Sequence, residues 1–288
     1  MDDVSIVVPC YNEADRLNRL AFQQFLEQHP RFHFVFVNDG SQDATLSVLE
    51  EIHTAWSERT TVVDLPKNGG KAEAVRQGVL TALKSGCRFV GYWDADLATP
   101  LSAIPQFTEV LDRKKSVEIV VGTRIPLLGH SIRRQRKRQL LGRLFANVAS
   151  FVLGLRLYDT QCGAKMFRVS SRLATAFEEP FLARWIFDVE LFARMQASSF
   201  DFGAAPLEQI LYECPLEHWE DVAGSKLKAT DFLRAPAELV EIYWRYLGPF
   251  RQPLPLSDAK SSAGPIIARI GPQQAADGNG TTDERKAA

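Results

Sequence analysis

The chain has 288 residues, 45% of them hydrophobic and 24% charged, and its formal net charge is −1. Such proportions fit a soluble globular protein with one large α/β domain or two smaller ones. They exclude a global field that draws the protein to nucleic acid or to a membrane, so any such attraction has to come from a local patch.

The four cysteines, Cys10, Cys87, Cys162 and Cys214, are far apart and form no CxxC pair. That argues against a disulfide framework and a zinc site, and fits a reducing compartment. The opening "MDDVSIVVPC" is acidic and enters a strand directly, unlike a signal peptide. No apolar run reaches the roughly 18 residues of a spanning helix. A cytoplasmic protein is expected, peripheral at most on the inner face of a membrane.

In chain order, "VSIVVPC" (Val4 to Cys10) is rich in β-branched residues and suits a strand buried on both faces. A helix is expected from about Glu13 to Gln28. "FHFVFVNDG" reads as a second strand ending at Asn38 and Asp39, and "SQDATLSVLEEIHTAW" as its helix, with Ser41 or Asp43 as N-cap. "TTVVDL" is a third strand. "KAEAVRQGVLTALKSG" is a third helix, closed by Gly86. "CRFVGYWDAD", the helix "SAIPQFTEVLDRKK" and the strand "VEIVVGTR" follow. Repeated βα units predict a mostly parallel central sheet flanked by helices.

From Ile119 to Tyr158 there is no acidic residue, while Arg124, Arg133, Arg134, Arg136, Lys137, Arg138, Arg143 and Arg156 fall in that window. The basic cluster leads into a helix with Leu140, Leu141, Leu144, Phe145, Val148, Phe151 and Leu155 on one face. Three readings stay open: a solvated helix face, an acceptor-phosphate site, or contact with an anionic membrane through Arg133 to Leu155. The apolar face could equally pack on the sheet. Residues 1–247 read as the folded domain and 248–288, rich in Pro, Gly and Ala, as a disordered tail.

In an open parallel sheet, ligands bind beyond the carboxyl ends of the strands. Polar residues collect there: Tyr11, Asn12 and Glu13, then Asp39, then Asp94 and Asp96, then Arg124. The Asp94-Ala95-Asp96 pair offers hard oxygen donors suited to Mg²⁺ or Mn²⁺, which would neutralise a diphosphate leaving group. The plainer alternative is a turn or helix cap. Asp39 in "VNDGSQDAT" could sit in a turn or accept from a nucleobase N–H. "KNGGKAEAV" offers a phosphate cradle of two glycines, a helix N-terminus and Lys71, without P-loop spacing.

Taken together, "VVPCYNEADRL", "VNDGSQDAT", "NGGKAEAVRQG", "WDADLATP", "GTR", "DTQCGAKMF", "RWIFDVEL" and "HWEDVAGSK" resemble the family 2 glycosyltransferases, inverting enzymes of the GT-A fold. The resemblance runs from about Val4 to Leu247. It is nearest the branch of dolichyl-phosphate β-glucosyltransferases and related polyprenyl-phosphate enzymes. It implies hexose transfer from a nucleotide-diphosphate sugar such as UDP-glucose to a polyprenyl phosphate, with Mg²⁺ or Mn²⁺ as cofactor and no nucleic-acid partner. Pro9, Tyr11, Asn12 and Glu13 would line the base and ribose pocket, Asp39 would hold the base, and Lys71 would contact the nucleotide. Asp94, Ala95 and Asp96 would hold ribose, diphosphate and metal. Asp188 would be the catalytic carboxylate, with Glu190 as the near alternative. Gly163 and Lys165 would lie near the donor sugar. Arg124, Arg133, Arg134, Ser225 and Lys226 would hold acceptor phosphate.

An alcohol acceptor needs a general base. A phosphate monoester, with a second pKa of about 6, does not, and Asp188 would then orient more than it deprotonates. His218 could be a metal ligand or structural, and Trp185 and Trp219 could wall a sugar pocket or belong to the core. A soluble alcohol or glycan acceptor is the main alternative. A sugar nucleotidyltransferase and a non-catalytic nucleotide-binding protein are the rivals from other classes.

Overall fold

The computed structural model describes residues 3–133, 136–222, 229–251 and 267–269. The β-branched and aromatic runs form the strands β1 (Val4–Cys10), β2 (Phe32–Asp39), β3 (Thr60–Leu65), β4 (Phe89–Trp93) and β5 (Ile119–Thr123). Between them lie α1 (Arg19–Gln28), α2 (Thr45–Ala55), α3 (Lys71–Lys84) and α4 (Ile104–Arg113). The second half adds β6 (Ser131–Arg133), α5 (Arg136–Leu153), β7 (Ala164–Arg168), α6 (Ser171–Glu178), α7 (Phe187–Phe202), the one-turn α8 (Leu207–Ile210), β8 (Leu211–Pro215), β9 (His218–Glu220) and α9 (Ala229–Ile242). A π-helical turn, Tyr243–Leu247, continues α9.

One sheet has the order β10-β3-β2-β1-β4-β7-β5-β8, where β10 is Ile267–Arg269. β1, β2, β3 and β4 run parallel, as do β5 and β8. β7 lies between β4 and β5 and is antiparallel to both. β10 pairs antiparallel with β3 at the edge. The remainder of 252–288 lies outside the described residues. β6 and β9 form a separate parallel pair.

Each face of the sheet carries an apolar layer. Val7, Val37 and Tyr92 face α3, α6 and α7. Val8, Phe36 and Trp93 face α1, α2 and α4. Gly78 in α3 is needed for close packing, because a Cβ there would lie 2.2 Å from Val7 Cγ1.

Two local expectations change. α1 starts at Arg19, not near Glu13: Asn12 has φ +49° and the chain turns through Glu13–Leu17, with Asn18 Oδ1 accepting from Ala21 N–H as the cap. α2 starts at Thr45. Asp43 accepts from the Thr45 N–H, and Ser41 Oγ is instead taken by the Asn12 N–H.

Candidate active site

The loops after β1, β2 and β3 are tied into one floor. Asn12 N–H donates to Ser41 Oγ at 3.0 Å, and its Oδ1 accepts from Gln42 N–H at 2.9 Å. Glu13 N–H donates to Thr45 Oγ1 at 2.7 Å. Pro9, Tyr11 and Asn12 are half-buried along this floor. The buried Glu13 carboxylate is paired with Arg16 at 2.8 Å.

Asp39, at the end of β2, is buried and accepts from Gly69 N–H at 2.7 Å, Gly70 N–H at 2.9 Å and Asn68 Nδ2 at 3.0 Å. Burial pushes its carboxyl up, against the pull of the two glycine N–H groups. The glycine turn expected to cradle phosphate therefore directs these N–H groups to Asp39. Gly70 has φ +89°, a conformation that favours glycine, and the Arg184 guanidinium lies over it, 3.2 Å from where a Cβ would be.

The turn hands the chain to α3, whose first residue, Lys71, reaches Asp94 Oδ1 at 2.5 Å. Burial works against the Lys71 ammonium, but Asp94, Asp188 and Asp96 outweigh it and raise its pKa. Asp96 accepts from Ala98 N–H at 3.1 Å; burial and the neighbouring Asp94 push its carboxyl up. Ala95 between them is buried.

Gly163 closes the other side of Asp94. Its carbonyl accepts from the Asp94 N–H, and a Cβ on it would sit 1.9 Å from Asp94 Oδ2. No larger residue fits beside that carboxylate without displacing it.

The β4–β7 register sets Tyr92 opposite Lys165, and both side chains meet α7. Lys165 is fully buried; its Nζ donates to Asp188 Oδ1 at 2.6 Å and to the Cys162 carbonyl at 2.7 Å. Tyr92 OH donates to the same Asp188 oxygen. Burial and Asp188 push the Tyr92 hydroxyl well up, so it remains a donor. Asp188 lies in the first turn of α7, where a carboxylate complements the helix dipole. Glu190 is turned elsewhere: it is fully buried, pairs with Arg194 at 2.7 Å, and accepts from Ala183 N–H. That leaves Asp188 as the α7 carboxylate beside Lys71 and Asp94.

Arg124 is buried against Asp159, through Nε at 2.5 Å and Nη2 at 2.7 Å, with its guanidinium over Trp219. One edge of the guanidinium, Nε and Nη2, is thus taken by Asp159. Arg133 is exposed on β6, 3.6 Å from Glu220. His218 is exposed on β9, while Trp219 is buried and Trp185 is half-buried against Phe145. Arg134, Ser225 and Lys226 lie outside the described residues.

The structure thus brings together Asp39, Lys71, Asp94, Asp96, Lys165 and Asp188. It adds Arg16, whose charge reaches Asp96, together with Arg184 and Tyr92. Tyr92 sits within an apolar run that reads as core, and Arg184 carries no local signal. Arg16 could have been found as the cation three residues after Glu13.

The profile of Glycosyl transferase family 2 matches residues 5–173. The Dolichyl-phosphate beta-glucosyltransferase of Drosophila melanogaster is 33% identical over 262 residues, spanning 85% of this chain and 76% of that protein. The Homo sapiens protein of the same name is 30% identical, spanning 85% and 76%. Among solved structures, glucosyl-3-phosphoglycerate synthase from Mycobacterium tuberculosis in complex with uridine-diphosphate has a TM-score of 0.57 at 18% identity, covering 84% of this chain and 80% of that one. The fold is GT-A, as the strand order and these neighbours agree. The chain belongs to the family 2 glycosyltransferases.

Proposed function

We propose that this glycosyltransferase moves glucose from UDP-glucose to a polyprenyl phosphate of the dolichyl type, with inversion. The observation that carries the acceptor class and the sugar is the similarity to the relatives named Dolichyl-phosphate beta-glucosyltransferase. Asp188 is held through one oxygen, Oδ1, which accepts from Lys165 and Tyr92 inside the core. A carboxylate so held would orient an acceptor that arrives already ionised, as a phosphate monoester does; toward an alcohol its Oδ2 would serve as the base.

The donor side would use Asp39 for the base: three of its lone-pair positions are filled, and a carboxylate has about four. Lys71 would leave Asp94 for the diphosphate. A divalent cation fits Asp94 and Asp96 by the chemistry of the donor set, two hard carboxylates set close together with a cation already drawn to one of them. Among the described residues no cluster of three or more His, Cys, Asp or Glu side chains completes an all-protein cage. The diphosphate and water would supply the other ligands. When bound, Mg²⁺ or Mn²⁺ would neutralise the diphosphate and stabilise it as leaving group. Neighbouring structures named with Mn2+ and UDP support this. Lys165 and Tyr92 would fix Asp188, Gly163 would leave room for Asp94, and Arg184 would stand at the rim for an incoming phosphate. Arg124 would brace the Asp159–Gly163 loop with one edge of its guanidinium, and with Arg133, Arg134, Ser225 and Lys226 would gather acceptor phosphate.

The test is calorimetric binding of UDP-glucose and GDP-mannose with and without Mn²⁺, followed by transfer to polyprenyl phosphate and to phosphoglyceric acid. Metal-dependent binding of UDP-glucose, lost in Asp96→Ala, and transfer to the lipid phosphate are expected. Transfer to phosphoglyceric acid alone would overturn the acceptor. Binding of neither donor would overturn the donor.

A further inference from the structure

Part of the apolar stripe on α5, Leu144, Val148 and Phe151, faces solvent, while Phe145 packs on Trp185 and Leu155 is buried. The helix packs inward through small residues: Ala146, Ala149 and Leu153 are buried, and Ala149 and Leu153 share a core layer with Ile242 and Tyr246. Leu144, Val148 and Phe151, at spacings of four and three, point outward with 62%, 44% and 88% of their surface exposed. They form one continuous face on the helix. The π-helical turn packs against α5 and adds exposed Tyr243 and Trp244. Scattered surface apolar residues need no explanation, but a cluster on two packed elements marks an interaction surface.

The charge around this face points to the partner. α5 opens with Arg136, Lys137 and Arg138 and has no acidic residue in its first turn. Cations at a helix N-terminus oppose the dipole, so they do not serve the helix's own stability. Arg143 and Arg156 are exposed, and no Asp or Glu occurs between Ile119 and Tyr158. An exposed apolar and aromatic face on a helix that is basic and carries no acidic residue, with Arg143 and Arg156 exposed on and beyond it, matches the headgroup layer of an anionic bilayer. A second copy of the chain fits poorly, because a two-fold contact would set this basic face against itself.

We infer that the outward face of α5, with Tyr243 and Trp244, is a docking surface for anionic lipid bilayers. No helix among the described residues is long and apolar enough to cross a membrane, so the contact lies in the interface plane. The surface also adjoins the site. Phe145, next to Leu144, packs on Trp185, three residues before Asp188. A docked molecule would therefore hold the start of α7 close to the lipid headgroups. This deepens the acceptor reading but does not need it, since docking requires neither donor nor lipid phosphate.

The experiment is co-sedimentation of the full chain with phosphatidylcholine vesicles, with and without phosphatidylserine. Salt-sensitive binding to the phosphatidylserine vesicles is expected. The triple variant Leu144→Ser, Val148→Ser and Phe151→Ser should lower the partition about a thousandfold, from roughly tenfold for each partly inserted side chain. Phe151→Ser alone, the most exposed site, should lower it about tenfold and guards against misfolding of the triple. Leu20→Ser on α1, 61% exposed, should change nothing. A chain that stays in the supernatant with anionic vesicles overturns the inference, as does a triple variant that binds like the parent. A dimer in sedimentation equilibrium that the triple variant dissolves would assign the face to a second copy instead. UDP-glucose binding by the same variants separates a failure here from a failure of the donor assignment.

Discussion

Replacing Lys165 by methionine tests the core of the site. Methionine keeps most of the volume and removes the ammonium that lies 2.6 Å from Asp188 Oδ1. At an effective dielectric constant of about 20 the direct attraction at that distance is about 6 kcal/mol, and the desolvation of both ions offsets much of it. Removing one partner leaves a buried charge with Tyr92 and the more distant Lys71 to answer it, so a loss of about 3–5 kcal/mol is expected. Asp188→Asn should cost a similar amount by stranding the Lys165 ammonium. In urea denaturation the double variant should lose clearly less than the sum of the singles, with a coupling of at least about 2 kcal/mol. At about 2–4 °C per kcal/mol, each single variant should melt roughly 10 °C lower. Additive losses, or single losses below about 1 kcal/mol, would show that the pair does not hold Asp188 in solution. The reading of Asp188 as a fixed orienting carboxylate would then fall.

Gly163→Ala should weaken metal-dependent UDP-glucose binding tenfold or more in calorimetry, because its Cβ would occupy the position of Asp94 Oδ2; unchanged affinity would show that Asp94 does not need this placement. Asp39→Ala should destabilise the fold by about 1–3 kcal/mol in urea, since the Gly69 and Gly70 N–H groups lose their shared acceptor. Glu73 supplies a pH test. Burial works against its charge, but Arg76 and Gln77 outweigh that and lower its pKa from the ordinary 4.5. A carboxyl lowered in the folded state contributes stability above 4.5 that is lost as pH falls through the folded value. Thermal melting should therefore show Glu73→Gln less stable than the parent at neutral pH, with the gap closing below about pH 4.5.

The first five strands were legible because runs such as "VSIVVPC" and "TTVVDL" are rich in β-branched residues and centre on buried valines and isoleucine. The same logic located Asp39, Asp94 and Asp96, as polar residues at the ends of apolar runs. α1 was misjudged because periodicity alone ignored Asn18, a good cap placed before the true start. The α5 face was ambiguous for a different reason. Leu and Phe at helical spacing state that a face is apolar but not whether protein or another phase covers it, and only the burial of Ala146 and Ala149 settles which side packs inward. Tyr92 and Arg184 were invisible because their partners, Asp188 and the Gly70 turn, are brought to them by the fold.

The reversed direction of β7 has a consequence for biosynthesis. Chain order would place β5 next to β4, yet the position beside β4 belongs to a strand made after β6 and α5. As the chain emerges, the edge of β4, from Phe89 to Trp93, must wait with its backbone groups unpaired until Ala164–Arg168 arrives. An open apolar edge is a template for wrong partners. A fragment ending before Ala164 would carry the whole β1–β5 pattern and lack the strand that pairs with this edge of β4. The insertion that closes the gap beside β4 also brings Gly163 to Asp94 and sets Lys165 where Asp188 of the later α7 meets it. Closing the sheet and placing these two site residues are one event.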